Sequence, residues 1–125
     1  MTEKALSVPV ANASALTAHY GRWPSFHDAE VLNLQLNRGE GGQPPSLTLT
    51  CLLVDRPAIQ GAPLLVTMSF HQVDELELSG FNEQNALFDL TLTLAERLIE
   101  VNLESSYGLS ASFSCARVEI VDVHR

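Results

Sequence analysis

From residue 32 to residue 123 the apolar side chains fall on alternate positions, and this period of two constrains the fold more than any other feature. Successive side chains of a strand point to opposite faces, so such alternation marks strands with one buried face. Leu32, Leu34 and Leu36 alternate with Asn33, Gln35 and Asn37, and Leu47, Leu49, Cys51 and Leu53 interleave with Thr48 and Thr50. Leu64, Val66, Met68 and Phe70 face away from Thr67, Ser69 and His71. Leu76 and Leu78 alternate with Glu75 and Glu77, and Phe88, Leu90, Leu92 and Leu94 with Asp89, Thr91 and Thr93. Residues 98–104 repeat the pattern with Glu100, Asn102 and Glu104 on the polar side. The stretch 111–123 reads as one long strand, with Val118 and Ile120 on one face and Phe113, Cys115, Val121 and Val123 on the other. Two apolar faces predict a central or strongly twisted position for it.

This makes about seven strands. Gly- and Pro-rich connections such as 38–45 are short, and no helix separates one strand from the next as a parallel sheet demands. The expected fold is mainly β (α+β): an antiparallel sheet, curled or two-layered, with one N-terminal helix covering a side or an end. The helix is expected at 11–20, an Ala-rich segment without a β-branched run. Asn12 or Ser14 would cap it, Gly21 would end it, and Ala15, Leu16, His19 and Tyr20 would share its inner face. At 125 residues the chain is expected to form a single domain able to build its own core.

Seven basic and fifteen acidic residues leave a formal charge of −8. Nucleic acid and anionic membranes need a basic patch, and one lysine, Lys4, with six scattered arginines does not supply it. Neither is expected as a partner. No apolar run approaches the length of a membrane span. Ala11-Asn12-Ala13 faintly resembles a signal-peptidase site, but Glu3, Ser7 and Pro9 break the stretch before it, and the chain is read as cytoplasmic. Cys51 and Cys115 lie in alternating apolar segments and read as small buried thiols; a bridge between them would require neighbouring strands.

Three segments carry polar groups of chemical interest. Trp23-Pro24-Ser25-Phe26-His27-Asp28-Ala29-Glu30-Val31 joins the helix to the first strand. A metal site here would recruit His71, Asp89 or Glu30 to His27 and Asp28, and a nucleophilic triad would need an activated Ser or Cys. No nucleophile motif is present, a lone His-Asp pair is weak evidence for a metal, and no catalytic residue, metal or cofactor is assigned here. The structural alternative has Ser25 and Asp28 binding turn amides while Trp23 and Phe26 plug the end of the sheet. The second segment, Gly80-Phe81-Asn82 through Asn85, reads as a tight connection anchored by Phe81, or as an amide-lined recognition loop for a sugar or peptide. The third is acidity on polar strand faces, at Asp74, Glu75 and Glu77 and at Glu96, Glu100 and Glu104. If those strands lie together, their carboxylates form one negative face suited to a basic partner.

The first two segments carry a resemblance. Trp23, Phe26, His27 and Asp28, followed by a strand and then by Leu76-x-Leu78-x-Gly80-Phe81-Asn82-x-x-Asn85, resemble the signature of the immunity protein 50 family of bacterial polymorphic toxin systems. The resemblance runs from about Tyr20 through the last strand. It implies a small cytoplasmic protein that binds and neutralises a cognate toxin domain and has no catalysis of its own. In that reading Asp74, Glu75, Glu77, Glu100 and Glu104 engage the toxin, while the Trp-Pro-Ser-Phe-His-Asp turn holds the fold. A binding module for a small molecule, sugar or peptide is the second reading, and a metal-dependent enzyme using His27 and Asp28 the third. Alternating strands with a single lysine also leave edges with little basic protection, so a symmetric homodimer is compatible with the sequence.

Overall fold

A computed structural model of the chain describes residues 8–53 and 63–124. One short helix, α1 (Ala13–Tyr20), precedes eight strands: β1 (Glu30–Asn37), β2 (Ser46–Leu53), β3 (Leu64–His71), β4 (Asp74–Ser79), β5 (Ala86–Ala95), β6 (Leu98–Tyr107), β7 (Ser110–Cys115) and β8 (Arg117–His124). The strands form one antiparallel, unclosed sheet in the order β4-β7-β6-β5-β1-β2-β3-β8. Mainly β, antiparallel and with a single helix, it is the class expected from the period of two. Among the described residues no helix is long and apolar enough to cross a membrane.

The strand count rises from seven to eight because 111–123 is two strands. Ala111, Phe113 and Cys115 are buried up to Ala116, and Val118 and Ile120 beyond it. The buried parity changes because β7 pairs with β6 and β4, whereas β8 pairs with β3. A single residue, Ala116, carries the chain from one part of the sheet to the other, its N–H donating to the His71 carbonyl at 2.9 Å. The apolar residues assigned to two faces of one strand thus belong to two strands.

The sheet curls over its own core. β3 and β7 stand five places apart in the strand order, which in a flat sheet would separate them by roughly 24 Å. Yet the rings of Phe70 on β3 and Phe113 on β7 meet edge to face with centroids 5.2 Å apart. The half-sheet β1-β2-β3-β8 therefore faces the half-sheet β5-β6-β7-β4. Between them lie Leu47, Leu49, Cys51, Val66, Met68 and Phe70 from one side and Leu87, Leu103, Phe113 and Cys115 from the other, all buried. On the outside of β2 and β3 the hydroxyls of Thr48 and Ser69, and of Thr50 and Thr67, bond at 3.1 Å.

Two local expectations fail for physical reasons. Leu32, Leu34 and Leu36 were read as the buried face of their strand, but Val31 is its buried residue, and Leu32 and Leu36 are 51 % and 53 % exposed. The register slips between Val31 and Asn33, and β1 meets β5 only at its first residues, so among the described residues no strand lies on the other side of the rest, and only Leu34 is partly buried. The helix starts at Ala13 rather than Ala11, because the Ala11 N–H and carbonyl bond Val118 and Ile120 along β8. Asn12 occupies the N-cap but makes no capping bond; its Nδ2 donates to the Ile120 carbonyl at 3.1 Å. Leu16 and Tyr20 form the buried face, and Gly21, at φ 95°, closes the helix through the Thr17 carbonyl. Its positive φ is one that glycine adopts without strain.

Cys51 and Cys115 are buried and free, and their strands are not neighbours. Burial pushes the Cys51 thiol from 9.0 up to about 12. Burial likewise raises Cys115 to about 11, against the smaller downward effect of a backbone hydrogen bond from Arg117. A thiol pKa raised by folding stabilises the native state fully below the unfolded value and loses that contribution as pH climbs through the folded value. The denaturation midpoint is therefore expected to fall between pH 9 and pH 12, and Cys51→Ala to flatten that decline; an identical alkaline slope in both proteins would contradict the assignment.

Candidate functional site

β6 runs through the middle of the second half-sheet, and its outward residues are Glu100, Asn102 and Glu104. The register places them in rows across four strands. Thr93, Glu100, Ser114 and Asp74 form one row, and Thr91, Asn102, Ser112 and Glu77 the next. Glu104 pairs with Asp89 on one side and shares a surface hollow with Ser110 and Ser79 on the other. The three serines of β7 hold the carboxylates of β4 and β6 about 10 Å apart, two strand spacings, with only short side chains between. The short side chains of Ser112 and Ser114 leave a hollow of about 710 Å³ in this face, bordered by Glu75, Glu77, Glu100, Thr91 and Asn102.

Asp74, Glu75, Glu77, Glu100 and Glu104 thus share one surface, and all are exposed. Glu75 sits where the β4–β7 register slips, at φ 54°, and its N–H donates to Asp74 Oδ1 at 2.9 Å. Glu77, Glu100 and Glu104 have no cationic partner among the described residues. The ion pairs there, His27–Asp28, His71–Glu119, Arg117–Glu119 and His124–Asp122, lie on other elements. Of the acidic residues noted in the sequence, Glu96 alone departs, lying between β5 and β6 at φ 58°. Sequence reasoning missed the β7 serines, although the alternation Ser110-Ala111-Ser112-Phe113-Ser114 carries their signal.

The His27–Asp28 turn has another character. Phe26 is the anchor, 2 % exposed, whereas Trp23 is only partly buried against it with ring centroids 5.7 Å apart. Phe26 and Asp28 adopt φ 67° and 69°, a conformation costly for non-glycine residues unless their surroundings hold it. Here the Asp28 N–H donates to the Leu87 carbonyl and the Leu87 N–H to that of Ala29, fixing the turn to β5. Ser25 Oγ accepts the His27 N–H at 3.2 Å, as expected. Asp28 does not bind a turn amide with its side chain; its carboxylate lies 3.3 Å from His27 Nδ1, with both groups more than half exposed. His27 also meets the Phe88 ring edge-on at 5.3 Å.

The residues that a metal site would have gathered are dispersed. His71 stands opposite Ser46, and Ser46 opposite Asn37, so it lies at the far end of β1 from His27 and bonds Glu119 at 2.9 Å. Glu30 is engaged by the Asn85 N–H at 2.7 Å. Among the described residues no three His, Cys, Asp or Glu side chains group as metal ligands.

Asn85, not Phe81, anchors the second motif: Phe81 is 49 % exposed and Asn85 only 3 %. The Asn85 Oδ1 accepts from the N–H groups of Asn82 and Leu109, and its Nδ2 donates to the Asn82 carbonyl at 2.7 Å. Asn82 in turn accepts from the Gln84 N–H and donates to the Gly80 carbonyl. These amides are engaged within the fold rather than offered to a sugar or peptide. The knot is dense enough to require glycine, since a Cβ on Gly108 would stand 2.3 Å from the Gln84 carbonyl oxygen.

The geometry is that of a small β-protein whose most distinctive surface is a sheet face on which Asp74, Glu75, Glu77, Glu100 and Glu104 lie together. The profile of the immunity protein 50 family matches residues 12–125, nearly the whole chain, and the protein belongs to that family. No curated protein and no solved structure matches it.

Phe26→Ala is expected to lower stability by about 3–5 kcal/mol, and Trp23→Ala by clearly less, in urea melts. Equal losses, or a larger one at Trp23, would contradict the assignment of Phe26 as the anchor. Asn85→Ala should cost about 1–3 kcal/mol for each buried amide it leaves without an acceptor, with Asn82→Ala milder; a neutral Asn85→Ala would remove the knot from the account of the fold.

Proposed function

We propose that the protein neutralises a cognate bacterial toxin domain by binding it, without catalysis of its own, in the cytoplasm of the cell it protects. The observation that carries this reading is the family match over 12–125. The surface assigned to the toxin is the outer face of β4, β7, β6 and β5. Its support is the contiguity of Asp74, Glu75, Glu77, Glu100 and Glu104 without cations between them. Like charges held on one face repel each other in the free protein, and a basic partner converts that repulsion into attraction. Such a field accelerates encounter with a cationic toxin and orients it before contact. A basic nuclease-type domain fits this surface.

The His27–Asp28 turn and the Asn82–Asn85 knot are assigned to the scaffold. They fix β1 to β5 and the end of β4 to the β6–β7 turn, and so hold the acidic strands in place.

The partner to test is the C-terminal domain of a large secreted protein, should one be encoded immediately upstream. Replacing Glu75, Glu77, Glu100 and Glu104 by Lys is expected to slow association by about tenfold or more and to flatten its salt dependence in stopped-flow measurements. The same change at Glu40, on the 38–45 connection, should have little effect. An unchanged on-rate and salt slope would remove the acidic face from the mechanism, while failure of the wild-type protein to bind that domain would overturn the immunity reading itself.

A further inference from the structure

β1 stands fifth in an eight-strand order, yet its side chains are exposed like those of an edge strand. The cause is the shortness of its junction with β5. Bonds join residues 28–31 to 85–87, and past Val31 the only strand beside β1 is β2. Residues 32–37 therefore present one unpaired backbone edge among the described residues, although they lie inside the sheet order.

Alternation fixes which groups face that edge. The Val31 N–H points away from β2, to the Asn85 carbonyl. Val31 pairs with Cys51, and Leu34 and Leu36 pair with Leu49 and Leu47, two and four residues earlier on β2. Residues two apart on a strand share the same hydrogen-bonding direction, so Leu34 and Leu36 also point their N–H and carbonyl groups to the open side.

An open edge is an invitation to another strand, and proteins usually blunt it with lysine, proline or a covering loop. Among the described residues this one carries none of these. Its sequence, Leu32-Asn33-Leu34-Gln35-Leu36-Asn37, contains no ionisable group. It is also self-complementary. Antiparallel pairing with a second copy centred on Leu34 sets Leu32 opposite Leu36 and Asn33 opposite Gln35. Arg38, which has no ion-pair partner among the described residues, lies just beyond the paired segment. A pairing of this kind is isologous and closes on itself, so it stops at two copies.

We propose that the protein forms a symmetric homodimer in which residues 32–36 of two copies pair antiparallel and join the two sheets. The neutrality of the edge selects this occupant. Two chains of charge −8 repel across most of their surface, and the 32–37 edge, flanked by Arg38, is where they can approach. The acidic face of β4, β7 and β6 belongs to the other half-sheet and is not part of this contact.

Sedimentation equilibrium of the full chain tests the proposal. The wild type is expected to sediment with twice the chain mass at micromolar concentration, and added salt should strengthen the dimer, the reverse of its effect on toxin binding. Leu36→Asp, at a half-exposed position, is expected to weaken association at least tenfold while the circular dichroism spectrum stays unchanged. Leu34→Cys should give a covalent dimer on mild oxidation, since paired Cα atoms at about 5.5 Å are within disulfide reach. Thr91→Cys, on the acidic face, should not, and the buried Cys51 and Cys115 do not compete. A wild-type protein that stays monomeric through the high micromolar range overturns the proposal. So does a dimer that Leu36→Asp leaves intact and Leu34→Cys fails to cross-link.

Discussion

A handful of hydrogen bonds between residues 28–31 and 85–87 holds the two half-sheets in one sheet. Asp28 and Leu87, Leu87 and Ala29, and Val31 and Asn85 exchange backbone bonds, and the Glu30 carboxylate takes the Asn85 N–H. So short a junction lets the halves turn toward each other. At the opposite corner the chain itself makes the joint, through Gln72-Val73 between β3 and β4 and Ala116 between β7 and β8. With both corners tied, Phe70 and Phe113 meet, and the apolar faces of the two halves close on one core. The strained turn at Phe26 and Asp28 and the glycine-dependent knot around Asn85 are consequences of forcing the chain through that junction. This gives the two segments, far apart in sequence, one common task.

The same curl creates the two surfaces proposed here for binding. Folding the second half-sheet over the core turns the polar side of β4, β7, β6 and β5 outward and gathers carboxylates from segments 74–77 and 100–104. Cross-strand carboxylates at about 10 Å still feel one another at physiological ionic strength, since the screening length is nearly as great. That repulsion is tolerated because the opposite face of the same strands is buried, and the hydrophobic term outweighs a weak surface interaction. The price of the short junction is the uncovered outer part of β1. One half of the molecule thus carries a charged face and the other a neutral edge.

Much of this was legible in the sequence. The period of two picked out β1 to β6 one by one, because a buried face leaves a mark on the residues that form it. It failed at Leu32 and Leu36, because alternation reports which side a residue is on, not whether another layer reaches it. It merged β7 with β8, because a one-residue shift in parity at Ala116 looks like a strand with two apolar faces. Trp23 drew attention by rarity and size, but its neighbour Phe26 is the buried residue. Phe81 drew attention in the same way, while the anchor of that loop is the amide of Asn85. Polar residues that bond backbone groups carry no periodic signature, so their role appears only when donors such as the Leu109 N–H are brought to them.

By itself the sequence determined the strand class, the antiparallel arrangement, the acidic balance and the family, since each depends on local pattern, composition or short motifs. Tertiary structure decided that β4 and β6 flank one serine-bearing strand, so that five scattered carboxylates become a single surface. It also decided that β1 is left open past Val31. Both outcomes depend on strand order and on how far one layer covers another, and those are set by the summed packing of residues distant in the chain.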